Sequence, residues 1–166
     1  DITDLANWRD NQKIKFLDSY GEKLTYTHPL IQIVSKVLRN FPILNASLLD
    51  DKVIYKKDIN IGLATALQDG SLIVPVIKNA DELSLAGISK SSNSLVNKAR
   101  NNNLNPDDVQ DGTFTISNIG TFDNIMGTPI INQPQLAILA FGAIRKLPRV
   151  VETDKGDFNA IRKIIF

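Results

Sequence analysis

The chain contains no cysteine, one histidine (His28), one tryptophan (Trp8) and one methionine (Met126). Without cysteine there is no disulfide, no thiolate metal site and no cysteine nucleophile, which fits a reducing compartment. His28 precedes Pro29 with no Cys, second His or nearby carboxylate to work with, so neither a metal site nor a general base is expected there. No apolar run approaches the roughly 20 residues needed to cross a bilayer. The acidic opening Asp1-Ile2-Thr3-Asp4 is no signal peptide. An excess of charge of one sign is also missing. Nineteen basic against eighteen acidic residues leave a net +1, so no global field favours nucleic acid or an anionic membrane. These absences point to a soluble cytoplasmic protein.

The 166 residues are 43% hydrophobic and 22% charged, ordinary for one globular domain with a genuine core. Ile2–Tyr20 reads as a helix capped by Thr3 or Asp4, with Leu5, Trp8 and Leu17 on an apolar side and Gly21 as its stop. Pro29 suits a first helical position. Leu30, Ile31, Val34, Val37, Leu38 and Phe41 follow at helical steps up to Pro42, a broad face that predicts a well-buried helix. Ile43–Leu49 and Val53–Tyr55 read as a hairpin about Asp50-Asp51-Lys52, and Ile59–Leu67 and Leu72–Ile77 as a second about Gln68-Asp69-Gly70-Ser71. The apolar run Leu72–Ile77 is expected to be covered on both faces. Ser84 can cap a third helix that shows Leu85, Ile88, Leu95, Val96 and Ala99 on one side and fades through Asn101-Asn102-Asn103 before Pro106. Extended segments follow at Thr113–Ser117, Leu136–Ile144, Arg149–Glu152 and Phe158–Phe166, the last two joined by a turn at Thr153–Asp157. The hairpins and the lack of regular βαβ alternation predict an α/β (α+β) domain, a mixed β-sheet or an antiparallel one, with helices packed on it. The last strand has no turn signal after it, so a C-terminally truncated domain is expected.

The most informative stretch is G-T-F-T-I-S-N-I-G at Gly112–Gly120, followed by T-P-I-I-N-Q-P-Q at Thr128–Gln135. Strand alternation sends Phe114 and Ile116 one way and Thr113, Thr115 and Ser117 the other. The plainer reading of Ser117 is a serine in a β-turn. A row of hydroxyls ending at Gly120 is odd on a buried sheet unless something polar docks there, and a hydroxyl fixed at a strand end is a good donor to a developing oxyanion. Other motifs reduce to structure. Asp69-Gly70 is explained by a hairpin turn, and Gly120–Gly127 lacks the Lys-Ser or Lys-Thr of a phosphate loop. Arg9, Lys36, Arg39, Lys56 and Lys57 read most simply as solvated charges.

The runs D-I-N-I-G-L-A (Asp58–Ala64), L-I-V-P-V-I (Leu72–Ile77), F-P-I-L-N-A-S (Phe41–Ser47) and A-I-L-A-F-G-A-I (Ala137–Ile144) stand in order with the two motifs above. Nearly end to end, the chain resembles the catalytic core of the dihydrolipoamide acyltransferases of 2-oxo acid dehydrogenase complexes. The resemblance implies a chloramphenicol-acetyltransferase-like fold, homotrimers with active sites between subunits, and assembly of the trimers into a shell. It implies acyl transfer between a dihydrolipoyl group and coenzyme A. The lipoyl group is carried on a separate lipoyl domain, and neither that domain nor a peripheral-subunit-binding domain is expected within residues 1–166. The partners implied are the decarboxylase and dihydrolipoamide dehydrogenase components.

By the same resemblance, Ser117 is the catalytic oxyanion donor, and Arg9, Thr25, Asn118 and Gly142 contact coenzyme A or line its channel. Arg9 suits a phosphate. The family's base is a histidine in a D-H-R-x-x-D-G motif placed beyond the position of Phe166, so this chain is expected to be inactive alone. Asp111 stands before Gly112 where the family usually has glycine, Asp123 stands where glycine is frequent, and a position near Ala66 that is acidic in some members is apolar here. Both acids are expected to add negative charge near the channel of an anionic cofactor. The alternative is a non-catalytic trimeric scaffold that keeps the core motifs.

Overall fold

A computed structural model describes all of residues 1–166. Its order is α1 (Thr3–Tyr20), α2 (Thr27–Leu38), β1 (Ala46–Leu49), β2 (Lys52–Tyr55), β3 (Ile61–Ala66), β4 (Leu72–Ile73), β5 (Val76–Ile77), α3 (Leu85–Arg100), β6 (Phe114–Asn118), β7 (Ile138–Phe141), β8 (Ile144–Val151) and β9 (Phe158–Ile165). No helix is long and apolar enough to cross a membrane.

The central sheet is mixed, which decides between the two arrangements the hairpins allowed. It runs β4-β3-β6-β7, with β5 also on β3. The β4 and β5 pairings are antiparallel, whereas β3–β6 and β6–β7 are parallel. The β3-to-β6 connection carries α3, so one crossover unit exists that the hairpin signals had obscured. On one face of the sheet, Ile61 and Leu63 of β3, Phe114 and Ile116 of β6 and Phe141 of β7 pack against Ile31 and Leu38 of α2 and Ile88 and Leu95 of α3. That face is the core. Burying each such side chain is worth about 1.5–3 kcal/mol against leaving it in water. β1–β2 and β8–β9 form separate antiparallel hairpins.

Local chemistry explains most boundaries. Gly21 adopts φ 69° and donates its N–H to the Leu17 carbonyl, a left-handed helix stop that needs no Cβ. Ser84 caps α3 by accepting the Gly87 N–H at 3.2 Å. Substituting Ser84→Ala is expected to cost about 1 kcal/mol, read as a lower urea midpoint with unchanged slope. The β1–β2 turn narrows to Asp50-Asp51, both at positive φ, with Leu49 opposite Lys52. Asp69 accepts both the N–H and the hydroxyl of Ser71, and these bonds hold its carboxyl below the usual range, as a turn residue requires.

Four expectations need correction. Neither Thr3 nor Asp4 caps α1. The Thr3 hydroxyl donates to Asp1 and accepts the Lys163 N–H at 2.9 Å, which ties the helix to β9 instead. Only Ala6 of α1 is buried, because α1 lies beside β9 rather than on the sheet; Trp8 and Leu17 are exposed. α2 begins at Thr27, so Pro29 is third in the helix. Its missing N–H is still one that no intrahelical carbonyl would accept, and Val37 and Phe41 lie outside the buried stripe. The Leu72–Ile77 run divides about Pro75, with Val76 and Ile77 buried and Leu72 exposed.

Candidate functional site

On the face of the sheet opposite the core, β6 and Thr113 just before it present a row of hydroxyls. Thr113 Oγ1 donates to Asn45 Oδ1 at 2.6 Å and accepts the Asn60 N–H at 3.0 Å. Thr115 Oγ1 donates to Gln135 Oε1 at 2.7 Å, and Gln135 Nε2 donates to the Gly112 carbonyl at 3.1 Å. Both threonines are buried, so the polar partners that such a row demands come from the chain's own amides. Ser117 differs. It is half-buried, and no side-chain hydrogen bond within the chain uses its hydroxyl. Its cross-strand neighbours are Ala64 and Ala140, whose methyl groups leave the hydroxyl approachable. β6 continues through Asn118, so Ser117 sits within the strand and not in the turn after it.

The residues expected to meet coenzyme A converge elsewhere. Thr25, Asn118 and Gly142 line one cleft of about 340 Å³, with Tyr26, Thr27 and Gly120 among its other walls. Arg9 stands behind that wall. Its Nε donates to the Leu24 carbonyl at 2.9 Å, its guanidinium lies 4.8 Å from the centre of the Tyr26 ring, and its Nη1 pairs with Asp10 at 3.1 Å. Arg9 therefore braces the cleft, with Nη2 left over for a ligand. The Lys163 ammonium, ahead of Arg9 and Lys13, holds the Asp10 carboxyl below the usual carboxylate range. Alternation along β6 puts Ser117 and Asn118 on opposite faces of the sheet, so within one chain the serine does not open into this cleft. Asn118 reaches α2 and donates to Thr27 Oγ1 at 3.3 Å.

Backbone approach shapes the cleft floor. A Cβ on Gly120 would collide with the Gly142 carbonyl and sit 2.7 Å from the Ala143 nitrogen. One on Gly142 would lie 2.7 Å from the Asn124 carbonyl oxygen and 2.8 Å from that of Ile125.

His28 is buried at 2% exposure, and its Nδ1 accepts the Thr25 N–H at 3.4 Å. Burial lowers its pKa to about 4, against the opposing pull of Glu22 and a hydrogen bond to Asn93. A ring this enclosed cannot take a proton from a thiol in the cleft. Its folded pKa lies below the ordinary 6.5, so the unfolded chain binds the proton more readily. The stability due to a neutral His28 is complete above pH 6.5 and is lost as pH falls through about 4. Urea midpoints from pH 7 to pH 4 are expected to fall more steeply for the natural chain than for His28→Asn.

Asp111 and Asp123, the two departures from glycine, both adopt φ 58°. The left-handed backbone explains a glycine at these positions, and aspartate is among the few other residues that tolerate it. Their charges are partnered, Asp123 by Arg145 at 3.2 Å and Asp111 by Lys78 at 3.4 Å. Asp111 does not face the Thr25 cleft. It lines a cavity of about 770 Å³ with Lys56, Lys57, Lys78, Asn60 and Gln135. Sequence reasoning missed this cavity because its walls come from segments up to 88 positions apart, each reading as turn or surface (47 to 135). Ala66, exposed at the end of β3, lines neither.

The family model for 2-oxoacid dehydrogenases acyltransferase (catalytic domain) matches residues 1–165. The lipoamide acyltransferase component of the branched-chain alpha-keto acid dehydrogenase complex of Bacillus subtilis (strain 168) is 43% identical over 152 residues, 92% of this chain and 36% of that protein. A probable dihydrolipoamide acetyltransferase of Listeria monocytogenes superposes with a TM-score of 0.93 at 40% identity, over 99% of this chain and 68% of that one. The dihydrolipoamide acetyltransferase of Azotobacter vinelandii, studied for the role of a serine, a histidine and an asparagine in its catalytic mechanism, gives a TM-score of 0.91 at 34% identity. There the match covers 99% of this chain and 66% of that one. The chain thus spans about a third of the length of the Bacillus relative. Its fold is the chloramphenicol-acetyltransferase-like one that the resemblance implied. Matched along its whole length in both sequence and backbone, the chain belongs to the 2-oxoacid dehydrogenase acyltransferase family, within the catalytic domain.

Proposed function

We propose that this chain serves acyl transfer between a dihydrolipoyl group and coenzyme A in a 2-oxo acid dehydrogenase complex. One observation carries the reading: of three hydroxyls in a row, on Thr113, Thr115 and Ser117, two are consumed by internal amides and only Ser117 is left to donate outward. Attack of the coenzyme A thiol on the lipoyl thioester places negative charge on the carbonyl oxygen, and a fixed hydroxyl beside that atom stabilises it. Collapse of the intermediate breaks the bond to the lipoyl sulfur, which leaves as a thiolate and takes up a proton.

The attacking thiol, with an ordinary pKa near 8.5, needs a base. His28 is too enclosed, so the base is assigned to the histidine of the D-H-R-x-x-D-G motif, outside these residues. Ser117 and the Thr25–Asn118–Gly142 cleft open on opposite faces, which suits a site completed between subunits. Phe122, Met126 and Ile130, at 65%, 84% and 90% exposure, supply apolar surface for such contacts. A lipoyl domain would bring the acyl group, with the decarboxylase and dihydrolipoamide dehydrogenase as the other partners.

Calorimetry with coenzyme A tests the cleft. The natural chain is expected to bind, and Arg9→Ala to bind at least about tenfold more weakly because a braced wall and a cation are lost together. Absence of binding by the natural chain removes the coenzyme A assignment. Binding without turnover in the full-length protein favours the scaffold alternative.

A further inference from the structure

Between α1 and α2 the chain crosses from Gly21 to Tyr26 without helix or strand, yet this strap is a wall of the cleft that holds Thr25. A segment with no ladder of its own keeps its shape only through bonds to its surroundings. Arg9 of α1 holds the Leu24 carbonyl and stacks on Tyr26, and Asn118 of β6 donates to Thr27. The Thr25 N–H has one acceptor in the chain, Nδ1 of His28. The ring is fixed in turn by burial, and Asn93 of α3, close enough to act on its protonation, donates from Nδ2 to Glu22 at the far end of the strap. The strap is thus held at two points, Glu22 by Asn93 of α3 and Thr25 by His28 of α2.

We propose that His28 is a positioning residue for the ligand cleft, its Nδ1 holding the Thr25 amide so that the strap stands at a fixed distance from Asn118 and Gly142. This rests on the coenzyme A reading of the cleft. A strap released from His28 must be re-ordered each time a ligand enters, which subtracts from affinity without touching the reacting atoms.

The test compares the natural chain, His28→Asn and His28→Leu. The Asn side-chain oxygen falls near the place of Nδ1 and keeps the acceptor, whereas Leu fills the space without one. By calorimetry with coenzyme A, His28→Leu is expected to bind about tenfold or more weakly and His28→Asn within about threefold of the natural chain. In NMR hydrogen exchange, the Thr25 amide is expected to lose protection in His28→Leu alone. If His28→Leu fails to fold, Asn93→Ala frees the Glu22 end of the strap beside the ring and is expected to weaken binding by a smaller factor. Natural affinity in a folded His28→Leu, or in Asn93→Ala where His28→Leu does not fold, overturns the proposal. So does a folded His28→Asn as weak as His28→Leu. Failure of the natural chain to bind coenzyme A overturns the reading of the cleft, while the exchange of Thr25 still decides whether His28 holds the strap.

Discussion

On the proposed acyl-transfer reading, Ser117→Ala in the full-length protein is expected to lower kcat by about 10²–10³ while leaving the KM for coenzyme A nearly unchanged. The hydroxyl forms no hydrogen bond inside the chain, so its removal strands no buried partner, and Ala is the residue already present on both flanks at Ala64 and Ala140. Stability is therefore expected to stay within about 0.5 kcal/mol of the natural chain. An interaction used only when the carbonyl oxygen becomes an oxyanion should appear in kcat and not in ligand affinity. The contrast is Thr115, whose hydroxyl is tied to Gln135, and where loss should register as stability first. Steady-state kinetics on the serine variant decide the matter: a kcat within twofold of the natural value removes Ser117 from the reaction.

Gly120→Ala is expected to abolish coenzyme A binding and to destabilise the chain by about 1–3 kcal/mol or more. The added methyl would meet the Gly142 carbonyl and the Ala143 nitrogen, which are backbone atoms and cannot rotate away. The Ala143 N–H is bonded to the Asn124 carbonyl at 2.8 Å and the Gly142 N–H to the Phe166 carbonyl at 2.6 Å. Relief would therefore break the pairings that form the cleft floor. Gly21→Ala is the control: nothing lies within 4 Å of its added carbon, and its cost is confined to the left-handed backbone. Thermal unfolding and calorimetry on both variants measure the two effects. Retained binding in Gly120→Ala would show that the floor is not part of the site.

Much of this was legible from local chemistry. The Asp50-Asp51 hairpin, the Ser84 cap, the Gly21 stop and the strand carrying Ser117 follow from forces acting over a few residues. The errors share a cause as well. Leu5, Trp8 and Leu17 form a stripe on α1, yet a stripe does not state what it faces, and α1 lies beside β9 with only Ala6 buried. The Ser84 hydroxyl acts where sequence puts it, while that of Thr3 is diverted by a backbone N–H 160 positions away. The glycine preference at Asp111 and Asp123 became a physical statement only through their positive φ.

The sequence alone settled the three helices, most of the strands and the family motifs, because helix period, strand alternation and turn chemistry are written in neighbouring residues. Tertiary structure decided which hydroxyl of the β6 row is free, that Ser117 and Asn118 face opposite ways into different surroundings, and that His28 is a buried acceptor. Each of those depends on amides and carbonyls brought together from distant positions, such as Gln135 beside Thr115 and Asn93 beside His28. Such partners are chosen by packing in three dimensions, and spacing along the chain does not record them.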